Sequence, residues 1–98
     1  MKKIFKMVLP AALLIVFQVG CASLSEKGAA VRYQTKQEPP ANCKMLPKTI
    51  SSSMNVNQES MINSMRNDVG EAGGNLLVID TMIVAESIEG TGRGFVCP

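Results

Sequence analysis

The pair Gly73-Gly74 separates a helical pattern from an apolar run, and this boundary constrains the fold more than any other feature. Before the pair, apolar residues recur at helical spacing, at Met61, Met65, Val69 and Ala72. After it, residues 76–79 have the composition of a buried strand, which we expect to extend over residues 75–84. Glycine accepts the left-handed conformation found at helix C-termini, so the pair predicts a tight turn. This helix–turn–strand unit is the expected core, with Asn55 or Asn57 capping the helix.

Two strands are predicted before the helix. Residues 29–36 alternate apolar and polar side chains, as a strand with one face in solvent does. Residues 43–46 predict a second, shorter strand that Pro47 interrupts and that residues 49–50 can resume. The serine-rich residues 51–56 predict a polar loop between this strand and the helix.

A last strand is predicted over residues 94–97, after a hairpin-like loop over residues 86–92. The resulting order is strand–strand–helix–strand–strand. This order predicts a small α+β domain over residues 29–98, in which one helix packs on one face of a mostly antiparallel sheet.

Residues 1–20 have the pattern of an export signal. Three lysines lie within the first six residues, and residues 7–19 are uncharged and almost wholly apolar. Such an apolar stretch is too short for a comfortable permanent span, and lysines before it stay on the cytoplasmic side. We therefore expect everything beyond Gly20 to be exported.

Residues 18–21 (Gln-Val-Gly-Cys) resemble a bacterial lipobox, in which a small residue precedes a cysteine that is lipidated and becomes the new N-terminus. Gln18 departs from the aliphatic residue usual at its position. The alternatives are a plain secretory signal cut after Ala22 or Ser23, and an uncleaved anchor. Lipidation at Cys21 makes residues 21–28 the anchor and a short polar tether, and several acyl chains on it would hold the protein firmly in the membrane. Ala22 and Ser23 resemble the start of lipoproteins sent to the outer membrane.

The number of cysteines is consistent with export from the cytoplasm. If Cys21 carries lipid, Cys43 and Cys97 remain as a pair in an oxidising compartment, where a disulfide is expected. The alternatives are two buried thiols, or a redox or metal site. The sequence has no histidine and no Cys-x-x-Cys spacing, which argues against the redox or metal site.

Charge and composition argue against two broad classes of function. Removing residues 1–20 leaves seven basic and eight acidic side chains, since three of the ten basic residues lie in the signal. A near-neutral domain lacks the basic patch typical of nucleic-acid binding. The absence of histidine, the pairing of the cysteines and the small size of the domain together predict a protein that is not an enzyme and carries no cofactor.

A family resemblance rests on three motifs: residues 66–80 (RNDVGEAGGNLLVID), residues 43–46 (CKML) and residues 94–98 (GFVCP). They resemble a family of small bacterial lipoproteins known mainly as a domain of unknown function, over residues 21–98. The chain is more distantly similar to the outer-membrane lipoprotein that senses envelope damage for the Rcs phosphorelay. It departs from that sensor by lacking a long proline-rich tether and by having a single cysteine pair after lipidation.

Three features could suggest ligand sites, and each has a simpler interpretation. Glycine-rich residues 70–74 end a helix, whereas phosphate loops precede one. Residues 90–94 (GTGRG) could bind an anion, but a flexible hairpin accounts for them. Met61 and Met65 could bind a soft metal, but their place on the apolar stripe predicts core packing. The carboxylates after residue 79 are too scattered for a calcium loop, and no metal site is predicted.

Arg66, Asn67 and Asp68 lie on the polar side of the predicted helix and form the candidate partner face. The alternative is that they are solvated or bond to a neighbouring loop. The sequence thus favours a lipid-anchored envelope protein, in the outer membrane and facing the periplasm, that binds another envelope protein in an accessory or sensing role. The second hypothesis is a periplasmic binder of a small molecule or a metal.

Overall fold

The computed structural model describes residues 23–98, so the export signal and Cys21 lie outside the described residues. The elements in chain order are α1 (Glu26–Ala29), β1 (Arg32–Thr35), β2 (Lys44–Asn55), α2 (Gln58–Glu71), β3 (Leu76–Val84) and β4 (Ile88–Val96). The predicted α+β class and the chain order β-β-α-β-β are confirmed, with α1 as an additional short helix in front. No helix within residues 23–98 combines the length and apolarity needed to span a membrane.

The four strands form one mixed sheet with the spatial order β1-β3-β4-β2. β4 pairs antiparallel with both β3 and β2, whereas β1 pairs parallel with β3. Because β1 and β2 lie at opposite edges, residues 36–43 must cross the sheet to join them. The helix α2 returns the chain from β2 to β3 and packs on the sheet, so each face has its own cover.

The helix α2 begins and ends as the sequence predicts. Asn57 is the N-cap, and its side-chain oxygen accepts a hydrogen bond from the Ser60 N–H at 2.7 Å. At the other end Gly73 has φ +89°, and the Gly74 N–H donates to the Val69 carbonyl at 2.9 Å. A residue with a side chain is strained at that φ, which explains why glycine follows the helix here.

The main core lies between α2 and the sheet. It contains Met61, Met65 and Val69 of the predicted helix stripe, all fully buried, together with Val31, Ile50, Leu77 and Ile79. The fourth predicted member, Ala72, is exposed because it is the C-cap, where the helix ends. The prediction that the two methionines are core residues is therefore confirmed. Glycines of β4 face the helix, and a Cβ added at Gly90 would lie 2.6 Å from the Met61 sulfur of α2. The helix approaches the sheet this closely because β4 carries no side chains on that face at residues 90, 92 and 94.

The same glycines account for one wrong prediction. Residues 88–92 belong to β4, and only residues 85–87 connect it to β3. The glycines were expected to form a flexible hairpin, since glycine weakens strands. Pairing with strands on both sides and the close approach of α2 outweigh that preference.

A smaller core lies on the opposite face, at the end where β3 begins and β4 ends. We call it the closed end, and it consists of Cys43, Leu76, Val78, Phe95 and Cys97. The predicted Cys43–Cys97 disulfide is present, with the two Cα atoms 4.2 Å apart. The Gln34 side chain donates to the Gln37 and Glu38 carbonyls, so the crossing segment is fixed on this face by hydrogen bonds as well as by the disulfide.

The polar loop expected over residues 51–56 is also wrong, because β2 continues through the serines to Asn55. Its ladder with β4 is irregular in two places, between Met45 and Thr49 and between Ser52 and Asn55. Serine has little preference for strands, but here the neighbouring strand β4 supplies the hydrogen bonds.

The N-terminal segment is packed against α2 where the sequence predicts a free spacer. Residues 26–29 are helical, and β1 starts at Arg32 rather than at residue 29. Ser25 caps the short helix by accepting a hydrogen bond from the Gly28 N–H at 3.0 Å. The polar composition that favours a spacer is thus used for capping and for contacts with α2.

Candidate functional site

The end of the sheet opposite the closed end is open and apolar. Five large hydrophobic side chains there are between 42% and 80% exposed: Met54, Val56, Met82, Ile83 and Val84. The last three follow each other on β3, and the register places Val84 opposite Ile88, which is itself opposite Asn55 of β2. We call these five residues and the turn over residues 85–87 the hairpin end. Clustered exposed apolar side chains of this kind mark interaction surfaces.

The strand β3 has no partner along one side of the hairpin end. β1 pairs only with residues 76–79 of β3, and its last contact is the Lys36 N–H donating to the Ile79 carbonyl at 3.0 Å. Lys36 has φ +43° and turns the chain away from the sheet. Among the described residues no strand continues the pairing, so residues 80–84 present main-chain groups to solvent. We call this stretch the free edge.

A bulge decides which residues point their main-chain groups at the free edge. The β3–β4 register shifts between Ile79 and Thr81, at Asp80. Beyond it, the Ala85 N–H donates to the Ser87 carbonyl at 3.1 Å across the hairpin. Hydrogen-bonding direction alternates along a strand, so odd-numbered residues from Thr81 to Ala85 bond towards β4. Met82 and Val84 therefore direct both N–H and C=O outwards.

Buried Asn55 holds β2 in place at the hairpin end. Its side-chain nitrogen donates to the Ile88 carbonyl at 2.9 Å and to the Ser52 hydroxyl at 3.0 Å. These bonds replace ladder bonds that the irregularity removes. The preceding Met54 has φ +58° and an 80% exposed side chain. The Asn55 contacts thus fix a local conformation that displays Met54 to solvent.

The open face beside the hairpin end is polar. Arg93 donates two hydrogen bonds of 2.9 Å to the Asp80 carboxylate, and its guanidinium lies 5.6 Å from the Phe95 ring centre. The hydrogen bonds to Asp80 raise the pKa of Arg93, so it stays charged at physiological pH. The ion pair fixes the strand at the Asp80 bulge.

A shallow groove of about 340 Å³ crosses this face between β2 and the β3–β4 hairpin. Its lining includes the hydroxyls of Ser51, Ser52, Ser53, Thr81 and Thr91, and the last two contact each other. Most of these residues are exposed. A small molecule seated there would remain largely in contact with water, unlike a ligand in an enclosed pocket.

The predicted partner face, residues 66–68, lies on α2 and not at the hairpin end, and it contacts the N-terminal segment of the same chain. Arg66 donates from Nε to the Val31 carbonyl at 2.8 Å and stacks over the Tyr33 ring, while Asn67 accepts from the Ser25 N–H and donates to the Ser23 carbonyl, both at 2.8 Å. These two side chains hold the N-terminal segment on α2. Asp68 is half-buried on the same helix. Of the two interpretations offered by the sequence, hydrogen bonding to a neighbouring segment is the one that the structure shows for Arg66 and Asn67.

The sequence patterns do not predict the hairpin end. Residues 82–84 were assigned to a buried strand, and Met54 and Val56 to a polar loop. The apolar run over residues 82–84 is visible in the sequence, but nothing local distinguishes it from the buried run over residues 76–79. Within residues 23–98, no three side chains of histidine, cysteine, aspartate or glutamate lie close enough together to hold a metal ion.

No protein-family model, no curated protein and no solved structure matches this chain.

Proposed function

We propose that this protein is a lipid-anchored component of the bacterial cell envelope whose domain binds another envelope protein in an accessory or sensing role. The observation that carries the proposal is the hairpin end, where exposed apolar side chains adjoin unpaired main-chain groups. The lipobox-like residues 18–21 support anchoring through Cys21, and Ala22 and Ser23 support the outer membrane, facing the periplasm.

The combination at the hairpin end favours a protein over a lipid surface as its partner. Apolar side chains alone would suit either environment. However, moving main-chain N–H and C=O groups into hydrocarbon without hydrogen-bond partners costs free energy. A polypeptide can cover the apolar side chains and satisfy the free edge at the same time.

The binding surface is tested by crosslinking in cells. A photo-crosslinking amino acid replaces Val56, which directly follows β2 at the hairpin end. In a matched variant it replaces Lys44, an exposed residue at the start of β2. We expect a discrete protein adduct from position 56 and none from position 44. Equal labelling at both positions, or none at either, would contradict the proposal.

The anchor is tested by the intact mass of protein purified from membranes, before and after reduction. We expect the mass of residues 21–98 plus diacylglyceryl and acyl groups, with a gain of two hydrogen atoms on reduction. A mass that starts at Ser23 or Leu24 without lipid would refute the anchor. The crosslinking result would then apply to a secreted domain.

A further inference from the structure

The two outer edges of the sheet differ in how they resist pairing with another chain. β2 forms one outer edge, and it contains Pro47, two lysines and two register irregularities. Proline, charge and bulges are the features by which natural proteins protect edge strands. The free edge of β3 has none of these between Thr81 and Val84.

The free edge is also complementary to itself. Met82 and Val84 both direct main-chain groups outwards, so an antiparallel copy of the strand can pair Met82 with Val84 and Val84 with Met82 around a two-fold axis at Ile83. The three side chains of this segment are apolar and exposed. Pairing would therefore bury apolar surface against apolar surface along the whole segment.

Charge is complementary in the same arrangement. With Ile83 on the axis, the turn that contains Glu86 in one chain approaches Asp80 of the other. The Asp80 carboxylate is already paired with Arg93. Lys36 follows Thr35, whose partner in β3 is Ile79, so Lys36 lies at the level of Asp80. Lys36 of one chain would therefore meet Glu86 of the other. Both residues are exposed, and neither forms an ion pair within residues 23–98.

A groove of about 470 Å³ with a mixed polar and apolar lining lies on the helix side of this edge. It is lined by Tyr33, Gln58, Glu59, Ile62 and Arg66. Met61 of α2 packs on Gly90, and Gly90 pairs with Met82 of the free edge. Ile62, which follows Met61 in the helix, therefore lies at the level of the free edge. Met82 and Val84 of a second copy would lie on this side of the sheet.

We infer that the partner at the free edge is a second copy of this chain, and that two copies join their sheets through antiparallel β3 strands to form one sheet of eight strands. The inference rests on the proposed function, because it names the partner of part of the same surface. Met54 and Val56 lie on the β2 side of the hairpin end and stay accessible in the pair.

The test is disulfide crosslinking of the full chain in the membranes of bacterial cells. In the proposed pairing the two Ile83 residues form a non-hydrogen-bonded pair, whose Cβ atoms lie about 5 Å apart, close to disulfide distance. Ile83→Cys should therefore give a covalent dimer on mild oxidation. Glu89→Cys is the matched control, because it lies opposite Ile83 on the same face but one strand further in, which separates the two copies by about 14 Å.

Two further variants tie the crosslink to the pairing. Adding Val84→Lys places a charge on the free edge and should reduce the Ile83→Cys dimer at least tenfold. Adding Glu86→Lys should weaken it severalfold, and combining Glu86→Lys with Lys36→Glu should restore it. Restoration by the double exchange cannot result from a folding defect.

The outcomes separate this inference from the proposed function. A dimer at position 83, absent at position 89 and lost with Val84→Lys, supports the second copy. Equal dimers at both positions overturn it as non-specific contact. If position 83 gives no dimer while position 56 still crosslinks a different protein, the second copy is refuted and the proposed function stands. If neither position gives a product, both are refuted.

Discussion

The two ends of β3 have similar composition and opposite environments. Residues 76–79 (Leu-Leu-Val-Ile) are at most 5% exposed, whereas residues 82–84 (Met-Ile-Val) are at least 42% exposed. At the closed end β1 pairs with the strand, residues 36–43 cross the face, and the disulfide fixes that segment. At the hairpin end these covers are missing. Apolarity makes burial favourable, but whether a strand is buried depends on which segments the topology brings over it.

The largest expected difference between the ends concerns the disulfide. The double variant Cys43→Ser/Cys97→Ser should lower the free energy of unfolding by about 4 kcal/mol, since the bridge closes a loop with a sequence separation of 54. Denaturant titration measures the loss, and reduced wild-type protein should match the variant. Hydrogen exchange should show lost protection at the closed end first. Uniform loss along β3 would contradict the distinction between the ends.

A pair of truncations compares the ends directly. Leu77→Ala removes a fully buried side chain and should lower the free energy of unfolding by about 3 kcal/mol. Val84→Ala changes a side chain that is 67% exposed and should alter it by no more than about 0.5 kcal/mol in a monomeric sample. Thermal and denaturant unfolding measure both. A large loss for Val84→Ala at low protein concentration would mean that the hairpin end is covered.

Replacing Asn55 tests how much its side-chain hydrogen bonds stabilise the hairpin end. Asn55→Ala removes the side-chain donor to the half-buried Ile88 carbonyl and should lower the free energy of unfolding by about 1–2 kcal/mol. Amides near Met54 should exchange faster. Asn42→Ala in the exposed crossing segment is the matched control. Equal effects of the two changes would refute the role assigned to Asn55.

The smallest effect is expected at the Arg93–Asp80 ion pair. Both side chains are about one-third exposed, so Asp80→Asn should lower the free energy of unfolding by less than about 1 kcal/mol, and less again at high salt. Asp80 raises the pKa of Arg93, so the arginine's contribution is present below its unfolded pKa and is lost only in strong alkali. Arg93→Gln should therefore have the same effect at pH 6 and pH 8.

The sequence is most informative where local chemistry decides the structure. The helix stop at Gly73, the buried stripe with Met61 and Met65, and the Cys43–Cys97 bridge all follow from conformational preference, periodicity or compartment. Predictions fail where a distant neighbour decides. β2 extends through serines, and β4 through glycines, because other strands supply their hydrogen bonds. The hairpin end follows from the early end of β1 at Lys36, which composition does not indicate.

The contacts of Asn67 with Ser23 and Ser25 determine where an anchor at Cys21 would emerge. They place residues 23–25 beside α2, on the helix side of the sheet. A two-fold axis at Ile83 runs perpendicular to the sheet, so both copies of α2, and both copies of residues 23–25, would lie on the same side. The pair could then insert two sets of acyl chains into one bilayer. Such bivalent attachment would slow dissociation from the membrane far more than one anchor does, and it would leave the hydroxyl-lined face of the joined sheets directed away from that bilayer.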